Sequence, residues 1–395
     1  MTRRFGMMTM AAGSAALAVA ALVAIPATAN AAPQDTSLAG LQYVAMGDSY
    51  SAGYGLTPLT GEPVPGCAQA AVDYPHQLAA TYGLELTDVS CAGAWAANMT
   101  TPQDFPDEDA PPQVGALSDD TDIVTVTLGG NDLGFSSVAA SCIALSANGP
   151  VAGTNPNDPF QSPNCESIYV QGGVDSLAQR LTDVVIPNIA NGLAAIKAKA
   201  PNAKVFVVGY PAITPDAANT PPAGCYTSPI DNLQPVPDSF PFTDTDVPYL
   251  HQLEEKLDVA VQEQAGIAGF TYVPTFEATL AHSACASADE QYVQGVTLAS
   301  DLSSAVPGSL HPNATGVPFI ASQLAPLFEA AFPAPVPPSP SPSASPAPTS
   351  SAATLANTGS DPILPLGLAA GALLLGGLAV ASAFRRSRTG TGASR

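Results

Sequence analysis

The sequence predicts a flavodoxin-like α/β domain over residues 36–332, a three-layer sandwich with helices on both faces of a central parallel sheet. Two observations predict this fold. Short apolar runs typical of strands alternate with longer segments in which apolar residues recur at helical spacing. The strand-like runs are also hydrophobic throughout, as expected for parallel strands that helices cover on both faces.

The alternation places five strands and four main helices. The strands are expected at residues 41–46, 84–89, 122–128, 204–208 and 270–273. The helices are expected at residues 74–82, 174–200, 249–264 and 317–332. Pro187 lies inside the second of these helices and should kink or divide it, because proline has no N–H to donate.

The first 31 residues have the composition of a signal peptide. Arg3 and Arg4 precede an apolar, alanine-rich run at residues 7–25, and cleavage is expected after Ala31. A buried N-terminal helix is the alternative, but it fits poorly with the basic start and the small residues before the cleavage site. The mature chain, residues 1–31 removed, is therefore expected to be secreted.

Four segments follow one another at the C-terminus. They are an uncharged Pro/Ser/Ala-rich linker at 333–354, the motif L-A-N-T-G at 355–359, an apolar stretch long enough to span a bilayer at 362–384, and a basic cytoplasmic tail at 385–395. This order resembles the cell-wall sorting signals of Gram-positive bacteria, in the alanine-containing (LAXTG) variant of high-GC species. The resemblance implies that a sortase cleaves between Thr358 and Gly359 and joins the chain to peptidoglycan. A plain membrane anchor is the alternative.

The net charge of the exported part limits the kinds of partner that it can bind. Six of the 11 basic residues lie in the terminal signals, together with one of the 33 acidic residues, which leaves 5 basic against 32 acidic residues and a net charge of −27. Nucleic acid and anionic membrane surfaces repel such a chain. Nucleic acid is therefore excluded as a partner, and we expect a monomer.

Six cysteines in an exported chain indicate disulfides. Spacing does not determine which of the possible pairings occurs, and the sequential one is the simplest expectation: Cys67–Cys91, Cys142–Cys165 and Cys225–Cys285. A zinc site is the alternative use of these cysteines. The sequence contains no C-x-x-C and no H-x-x-x-H, so no metal is expected.

Three polar or glycine positions follow predicted strands. Ser49, Gly93 and Asn131 come after the first, second and third strand respectively. Ligands bind beyond the carboxyl ends of the strands in open parallel sheets, so these positions should lie close together. Each could instead serve only to end a strand or cap a turn.

Four segments in a fixed order resemble the blocks of the GDSL (SGNH) hydrolases. Residues 47–53 read G-D-S-Y-S-A-G, with tyrosine where the family name has leucine. Residues 91–93 (C-A-G) match the glycine of the second block, and 129–132 (G-G-N-D) match the third. Residues 309–312 (S-L-H-P) match the last block, around its histidine. Together the blocks extend over most of the mature chain.

The resemblance implies a role for each matched residue. Ser49 would be the nucleophile and His311 its base, since a serine hydroxyl needs an adjacent base to react. The main-chain N–H groups of Ser49 and Gly93 and the side-chain amide of Asn131 would form the oxyanion hole. The aspartates beside them, Asp48 and Asp132, are expected to hold their loops through backbone hydrogen bonds. The three other histidines match no block and are expected to be surface or helix residues: His76, His251 and His282.

One position departs from the family pattern. The family usually has aspartate three residues before the histidine, to orient the imidazole through Nδ1, whereas this sequence has Gly308 there. Some secreted actinobacterial members use a backbone carbonyl instead, so the Gly308 carbonyl is expected to orient His311. Asp301, folded back by a loop, is the alternative.

The resemblance implies hydrolysis of carboxylic esters through an acyl-enzyme, without a cofactor. It is greatest with secreted actinobacterial lipases and esterases, so the substrate is expected to be an acyl ester of a lipid or small alcohol. Two other functions stay open. One is an acetylesterase acting on polysaccharide, and the other is a non-catalytic binding protein or adhesin displayed on the wall.

Overall fold

The computed structural model describes residues 38–155, 157 and 159–333. The chain divides into two units, Met1–Val336 and Pro337–Arg395, and all of the described residues belong to the first. The second unit lies outside the described residues, as do the predicted signal peptide and, apart from residue 333, all of the predicted C-terminal segments. Within residues 38–333, as far as the structure describes them, no helix is long and apolar enough to cross a membrane.

A five-stranded parallel sheet forms the centre of the first unit. Its strands are β1 (Gln42–Met46), β2 (Glu85–Asp88), β3 (Ile123–Val126), β4 (Lys204–Val208) and β5 (Thr271–Val273). They are arranged in the order β2-β1-β3-β4-β5, and every neighbouring pair is parallel. All five carboxyl ends therefore lie at the same edge of the sheet, and the predicted parallel α/β architecture is confirmed.

Eight α-helices accompany the sheet in the described residues. They are α1 (Tyr74–Tyr82), α2 (Gly130–Leu133), α3 (Phe135–Ser141), α4 (Glu166–Tyr169), α5 (Ser176–Arg180), α6 (Ile186–Lys199), α7 (Asp246–Ala268) and α8 (Gly316–Ala331). Helices α1 and α8 pack together on one face of the sheet, around Phe206 and Phe328. Helices α6 and α7 pack together on the other face, around Val207 and Ile189. Adjacent residues of β4 thus enter different cores, which explains why the central strands β1, β3 and β4 are buried along nearly their whole length. The edge strand β2 is only partly buried and carries Glu85 and Asp88.

The predicted helix at 174–200 begins only at Ser176, because Val174–Asp175 pair in a hairpin, and it is divided near Pro187 as expected. Helices α5 and α6 are joined by a π-helical turn at Leu181–Val185, and Pro187 lies in the first turn of α6. A proline in a first turn costs no helical hydrogen bond, because the N–H groups there have no partner within the helix. Helix α7 extends beyond the predicted 249–264 at both ends and stops at Gly269, whose φ is +77°.

Long loops between these elements are fastened by disulfides. The bonded pairs are Cys67–Cys91, Cys142–Cys165 and Cys225–Cys285, the sequential pairing expected from the sequence. Two loops also contain short antiparallel hairpins, one pairing Val170–Gln171 with Val174–Asp175 and the other pairing Ile230–Asp231 with Gln234–Pro235.

Candidate active site

Ser49 stands on a tight turn directly after β1. Gly47 has a φ of +118°, and a Cβ there would lie 2.5 Å from the Thr127 carbonyl oxygen, so a side chain at this position would separate the ends of β1 and β3. The Asp48 carboxylate accepts hydrogen bonds from Tyr50 N–H at 3.0 Å and from Thr127 Oγ1 at 2.8 Å. These bonds hold the turn, and they give Asp48 the structural role expected for it.

Ser49 and His311 are brought together across 262 positions of sequence. Ser49 Oγ and His311 Nε2 lie 2.8 Å apart, which is hydrogen-bonding distance between a hydroxyl and an imidazole. Ser49 itself is only 8% exposed. A serine hydroxyl within reach of an imidazole nitrogen is the arrangement that a nucleophile and its base require.

The imidazole is oriented by a carbonyl, but not by the expected one. His311 Nδ1 lies 2.8 Å from the carbonyl oxygen of Ser309. The Gly308 carbonyl instead accepts the main-chain N–H of His311 at 3.1 Å, which closes a turn over residues 308–311. The prediction for Gly308 is therefore wrong by one residue. A carbonyl can only accept, so Nδ1 carries the proton and Nε2 is left to accept the proton of Ser49.

Asp301 does not complete a triad. Its carboxylate accepts hydrogen bonds from Ser303, at 3.1 Å from the main-chain N–H and 2.7 Å from the hydroxyl, and the residue is exposed. These two bonds lower the pKa of Asp301. The alternative that a loop folds Asp301 back onto His311 is therefore wrong, because the carboxylate is satisfied within its own loop.

The surroundings of His311 favour the neutral ring. The ring centroids of Tyr50 and Tyr54 lie 5.0 and 5.1 Å from that of His311. Burial lowers the pKa of His311 to about 4, opposed only by the hydrogen bond to the Ser309 carbonyl. At neutral pH the imidazole is therefore unprotonated, which is the state that a general base needs.

An apolar cavity of about 550 Å³ opens beside Ser49, Asn131 and His311. Most of its wall is built from aromatic and aliphatic side chains contributed by α3, α7 and the long loops. Representative members are Phe135, Ile143, Ile213, Leu257, Phe276 and Leu298. The volume lies within the ordinary range of ligand pockets, ≈ 300–1,000 Å³.

Two of the three expected oxyanion-hole residues lie at this cavity. Ser49 and Asn131 line it, whereas Gly93 is an exposed residue outside its lining, with a φ of +80°. Asn131 Nδ2 donates one hydrogen bond, of 2.9 Å, to the Ala94 carbonyl, which leaves its second hydrogen available. In the described part of the chain, the N–H groups of Ser49 and Gly93 donate no hydrogen bond.

Asp132 holds the Asn131 loop in place through hydrogen bonds. Its carboxylate accepts the Ala96 N–H and the side-chain amide of Asn188, each at 2.8 Å, and its carbonyl accepts Arg180 Nε at 2.7 Å. The residue is fully buried. The structural role expected for Asp132 agrees with these contacts.

Tyr210 was not identified from the sequence as a site residue. Its hydroxyl donates to Asp48 Oδ2 and accepts the Gly130 N–H at 3.0 Å, so it joins the Ser49 turn to the Asn131 loop. Burial raises the pKa of Asp48, partly offset by the bonds from Tyr210 and Thr127. The only sequence signal was the position of Tyr210 just after β4, where ligands also bind.

A buried glutamate also borders the cavity. Glu254 on α7 accepts hydrogen bonds from Ile213 N–H and Thr214 Oγ1, both at 2.8 Å. Burial raises the pKa of Glu254 to about 7, opposed by these hydrogen bonds. The carboxyl group thereby ties the loop after β4 to α7, and the sequence offered no signal for it beyond a polar residue within an apolar helix face.

A serine paired with a neutral histidine at the carboxyl edge of a parallel sheet defines a serine hydrolase. The pattern of the GDSL-like Lipase/Acylhydrolase family matches residues 45–317. The chain belongs to this family, and its activity is the hydrolysis of carboxylic esters.

Proteins of similar sequence are named as lipases or esterases. Lipase 2 of Streptomyces coelicolor is 33% identical over 307 residues, which cover 78% of this chain and 92% of that protein. An esterase of Streptomyces scabiei is 30% identical over 341 residues, covering 80% and 93%. Among solved structures, an extracellular lipase from Streptomyces rimosus matches with a TM-score of 0.53 at 21% identity, covering 74% of this chain and all of that one (100%), which supports the fold.

Proposed function

We propose that this protein is a secreted, wall-attached lipase or esterase that hydrolyses esters of apolar acyl chains through an acyl-enzyme on Ser49. The observation that carries the proposal is the apolar cavity of about 550 Å³ beside the Ser49–His311 pair. An acetyl group needs little of this space, whereas a longer acyl chain would bury its methylene groups there, each contributing about 0.8 kcal/mol.

The reaction proceeds in two steps. His311 Nε2 takes the proton of Ser49 Oγ as the oxygen attacks the ester carbonyl carbon, and the proton then passes to the departing alcohol. Water, deprotonated by the same nitrogen, attacks the acyl-enzyme and releases the acid and the serine hydroxyl. The Ser309 carbonyl supports both steps by holding Nδ1–H, and no cofactor takes part.

Three donors stabilise the oxyanion formed in each step. They are the N–H groups of Ser49 and Gly93 and the second hydrogen of Asn131 Nδ2. The absence of any other described acceptor for the N–H of the buried Ser49 supports this assignment. Loss of one such donor costs about 2.7–4 kcal/mol of transition-state stabilisation in a comparable hydrolase.

Apolar side chains at the mouth of the cavity support a lipid-like substrate. Leu145 and Phe160 both line the cavity and are 53% and 36% exposed. An exposed apolar rim around a pocket is typical of a ligand-binding or lipid-contacting surface. The net charge of the exported part argues for a neutral rather than an anionic lipid surface.

A series of p-nitrophenyl esters from C2 to C16 tests the substrate class. We expect turnover to rise from C2 toward the medium chain lengths, and Ser49→Ala to remove it while leaving the thermal unfolding transition intact. Rapid hydrolysis of C2 with none at C10 would support the polysaccharide acetylesterase instead. No turnover of any ester would support the non-catalytic binding protein.

A fluorophosphonate probe tests the nucleophile independently. The probe should label Ser49, and peptide mapping should find no label in the Ser49→Ala variant. Ser51 provides a control within the same peptide, because its hydroxyl is buried and bonded to Tyr74 and Thr127 at 2.9 and 3.0 Å. Label on Ser51 would contradict the assignment.

A further inference from the structure

Three metal-ligating side chains meet at a place that the catalytic cavity does not include. Asp73 precedes α1, His76 lies in its first turn, and Asp88 ends β2. One ligand atom from each lies within 4.8 Å of the other two. His76 Nδ1 is 2.7 Å from Asp73 Oδ1 and 3.7 Å from Asp88 Oδ2.

Two oxygens of this cluster are buried without a hydrogen bond. Asp73 Oδ2 and Asp88 Oδ2 accept no hydrogen bond, and His76 Nδ1 comes no nearer than 3.7 Å to Asp88 Oδ2, although the side chains are 0% and 3% exposed. A buried carboxylate oxygen without a partner is costly, because it has lost its hydration and gained nothing in exchange. In the part of the chain that the structure describes, His76 is also the only basic group within 4.0 Å of either carboxylate.

We propose that Asp73, His76 and Asp88 bind a divalent cation, with Zn²⁺ as the expected ion. One imidazole and two carboxylates are ligands that zinc accepts, and a water would complete a four-coordinate site. The imidazole is 30% exposed and borders a second cavity together with Thr60 and Glu62. This opening gives the ion and its water access from solvent.

The site has a structural role. A Cβ on Gly53 would lie 2.9 Å from Asp73 Cβ, so Asp73 packs directly against the turn that follows Ser49. A cation held by Asp73, His76 and Asp88 would join the start of α1 to the end of β2, next to that turn. Ser49 and His311 do not contact the ion, so it takes no part in the chemistry.

Thermal unfolding of the purified protein, with ZnCl₂ added alone after EDTA treatment and dialysis, tests the proposal. Zinc at about 100 times its dissociation constant should raise the melting temperature on the order of 5 °C, by mass action on the folded state. Calorimetric titration should give one zinc ion per chain. No shift and no binding heat would overturn the proposal.

Asp88→Asn separates metal binding from loss of folding. The asparagine Oδ1 can still accept the bonds that Asp88 Oδ1 accepts from Ser90, at 2.9 Å from N–H and 2.6 Å from the hydroxyl. The substitution also removes one of two like charges, because the Asp73 carboxylate lies beside that of Asp88. We therefore expect the variant to be at least as stable as the wild type in EDTA, yet to gain no stability from zinc.

Histidine variants identify the nitrogen ligand. His76→Gln should abolish the zinc-induced shift, whereas His282→Gln, which changes an imidazole outside the cluster, should keep it. An equal shift in the wild type and in His76→Gln would contradict the site. Stabilisation by CaCl₂ that survives His76→Gln would also contradict it, because Ca²⁺ prefers oxygen ligands and would not need the imidazole.

Discussion

Gly55 and Gly308 are in direct backbone contact. A Cβ on Gly55 would lie 2.2 Å from Gly308 Cα, and both glycines have positive φ, +95° and +91°. Gly55 follows the turn that carries Ser49, and Gly308 begins the turn that ends at His311. The contact therefore joins the two loops whose side chains meet at 2.8 Å.

Gly55→Ala should damage catalysis more than stability. The added methyl meets backbone rather than a movable side chain, so the His311 turn must shift away from Ser49. Overpacking of this kind costs about 1–3 kcal/mol of stability, and a misplacement of about 1 Å can cost 10²-fold in rate. We expect kcat for a p-nitrophenyl ester to fall by about 10²-fold.

Gly61→Ala is the matched control for that variant. Gly61 also has a positive φ, +81°, but a Cβ there would meet nothing within 4 Å. It carries the same backbone strain without the contact, so its kcat should stay near that of the wild type. Equal loss of activity in both variants would show that strain alone, and not the Gly55–Gly308 contact, is responsible.

The pH profile should report the lowered pKa of His311. Since the neutral imidazole is the base, kcat/KM should stay high down to about pH 5 and fall as the pH passes through about 4. Tyr54→Ala should expose the ring and move this acidic limb upward, toward the ordinary value of about 6.5. A wild-type limb already near 6.5 would contradict a desolvated histidine.

The same shift predicts how stability depends on pH. The folded-state pKa of His311 lies below its unfolded value, so the unfolded chain binds more protons between about pH 6.5 and 4. The contribution of His311 to the free energy of unfolding is therefore complete above that range and declines as the pH falls through it. His311→Gln should have a smaller loss of stability across this window in chemical denaturation.

Asp301→Asn should keep wild-type activity within about a factor of two. Because Ser309 supplies a main-chain carbonyl to Nδ1, no carboxylate is needed to orient the ring. Removing the carboxylate of a true triad can cost about 10⁴-fold in turnover. The measurement is kcat for a short p-nitrophenyl ester. A loss of about 10⁴-fold in a variant that still folds would show that Asp301 is the third member of a catalytic triad.

Tyr210→Phe should lower kcat on the order of tenfold with little change in KM. Without the hydroxyl, Asp48 Oδ2 loses its donor and Gly130 N–H loses its acceptor, so the Ser49 turn and the Asn131 loop are no longer joined. Leaving a buried group unsatisfied also costs about 1–3 kcal/mol of stability. Tyr82→Phe, which removes a tyrosine–carboxylate bond between α1 and α8, is the control. Its kcat should not change.

Wall attachment predicts a specific pattern of extraction. If a sortase cleaves between Thr358 and Gly359, boiling detergent should leave the protein in the wall fraction and a muramidase should release it. Thr358→Ala should shift the protein to the detergent-soluble fraction. Wild-type protein extracted by detergent alone, with residues 362–384 still attached, would indicate a membrane anchor.

Local sequence patterns were enough for the five strands, the main helices and the serine–histidine pair, but not for the short helices and hairpins of the loops. Apolar runs placed all five strands of the sheet to within a few residues. The signal was strongest in the central strands, because burial on both faces favours apolar residues at nearly every position of a parallel strand. Pro187 marked the division of a helix for an equally local reason, its missing N–H. Ser49, Asn131 and His311 were found because each lies in a short motif.

Contacts between segments that are far apart in the sequence could not be predicted from local patterns. Tyr210 holds Asp48 across 162 positions, and Asp88 meets His76 from another element, so no spacing rule for metal ligands detects the cluster. The motif around His311 likewise predicted the Gly308 carbonyl as the partner of Nδ1, with Asp301 as the alternative, whereas the Ser309 carbonyl has that role. Which carbonyl faces Nδ1 depends on backbone torsions rather than on residue type.

By itself the sequence determined the class of fold and singled out the serine and histidine of the site. The disulfide pairing needed the structure, because the sequential pairing was only the simplest of the possible ones. The tertiary structure alone decided that the Ser309 carbonyl orients His311. Leu310 is held in a left-handed conformation, φ +59°, by bonds from its N–H to Gln294 and from Tyr50 to its carbonyl. The turn uses the Gly308 carbonyl to close itself, which leaves the next carbonyl along the chain for the imidazole.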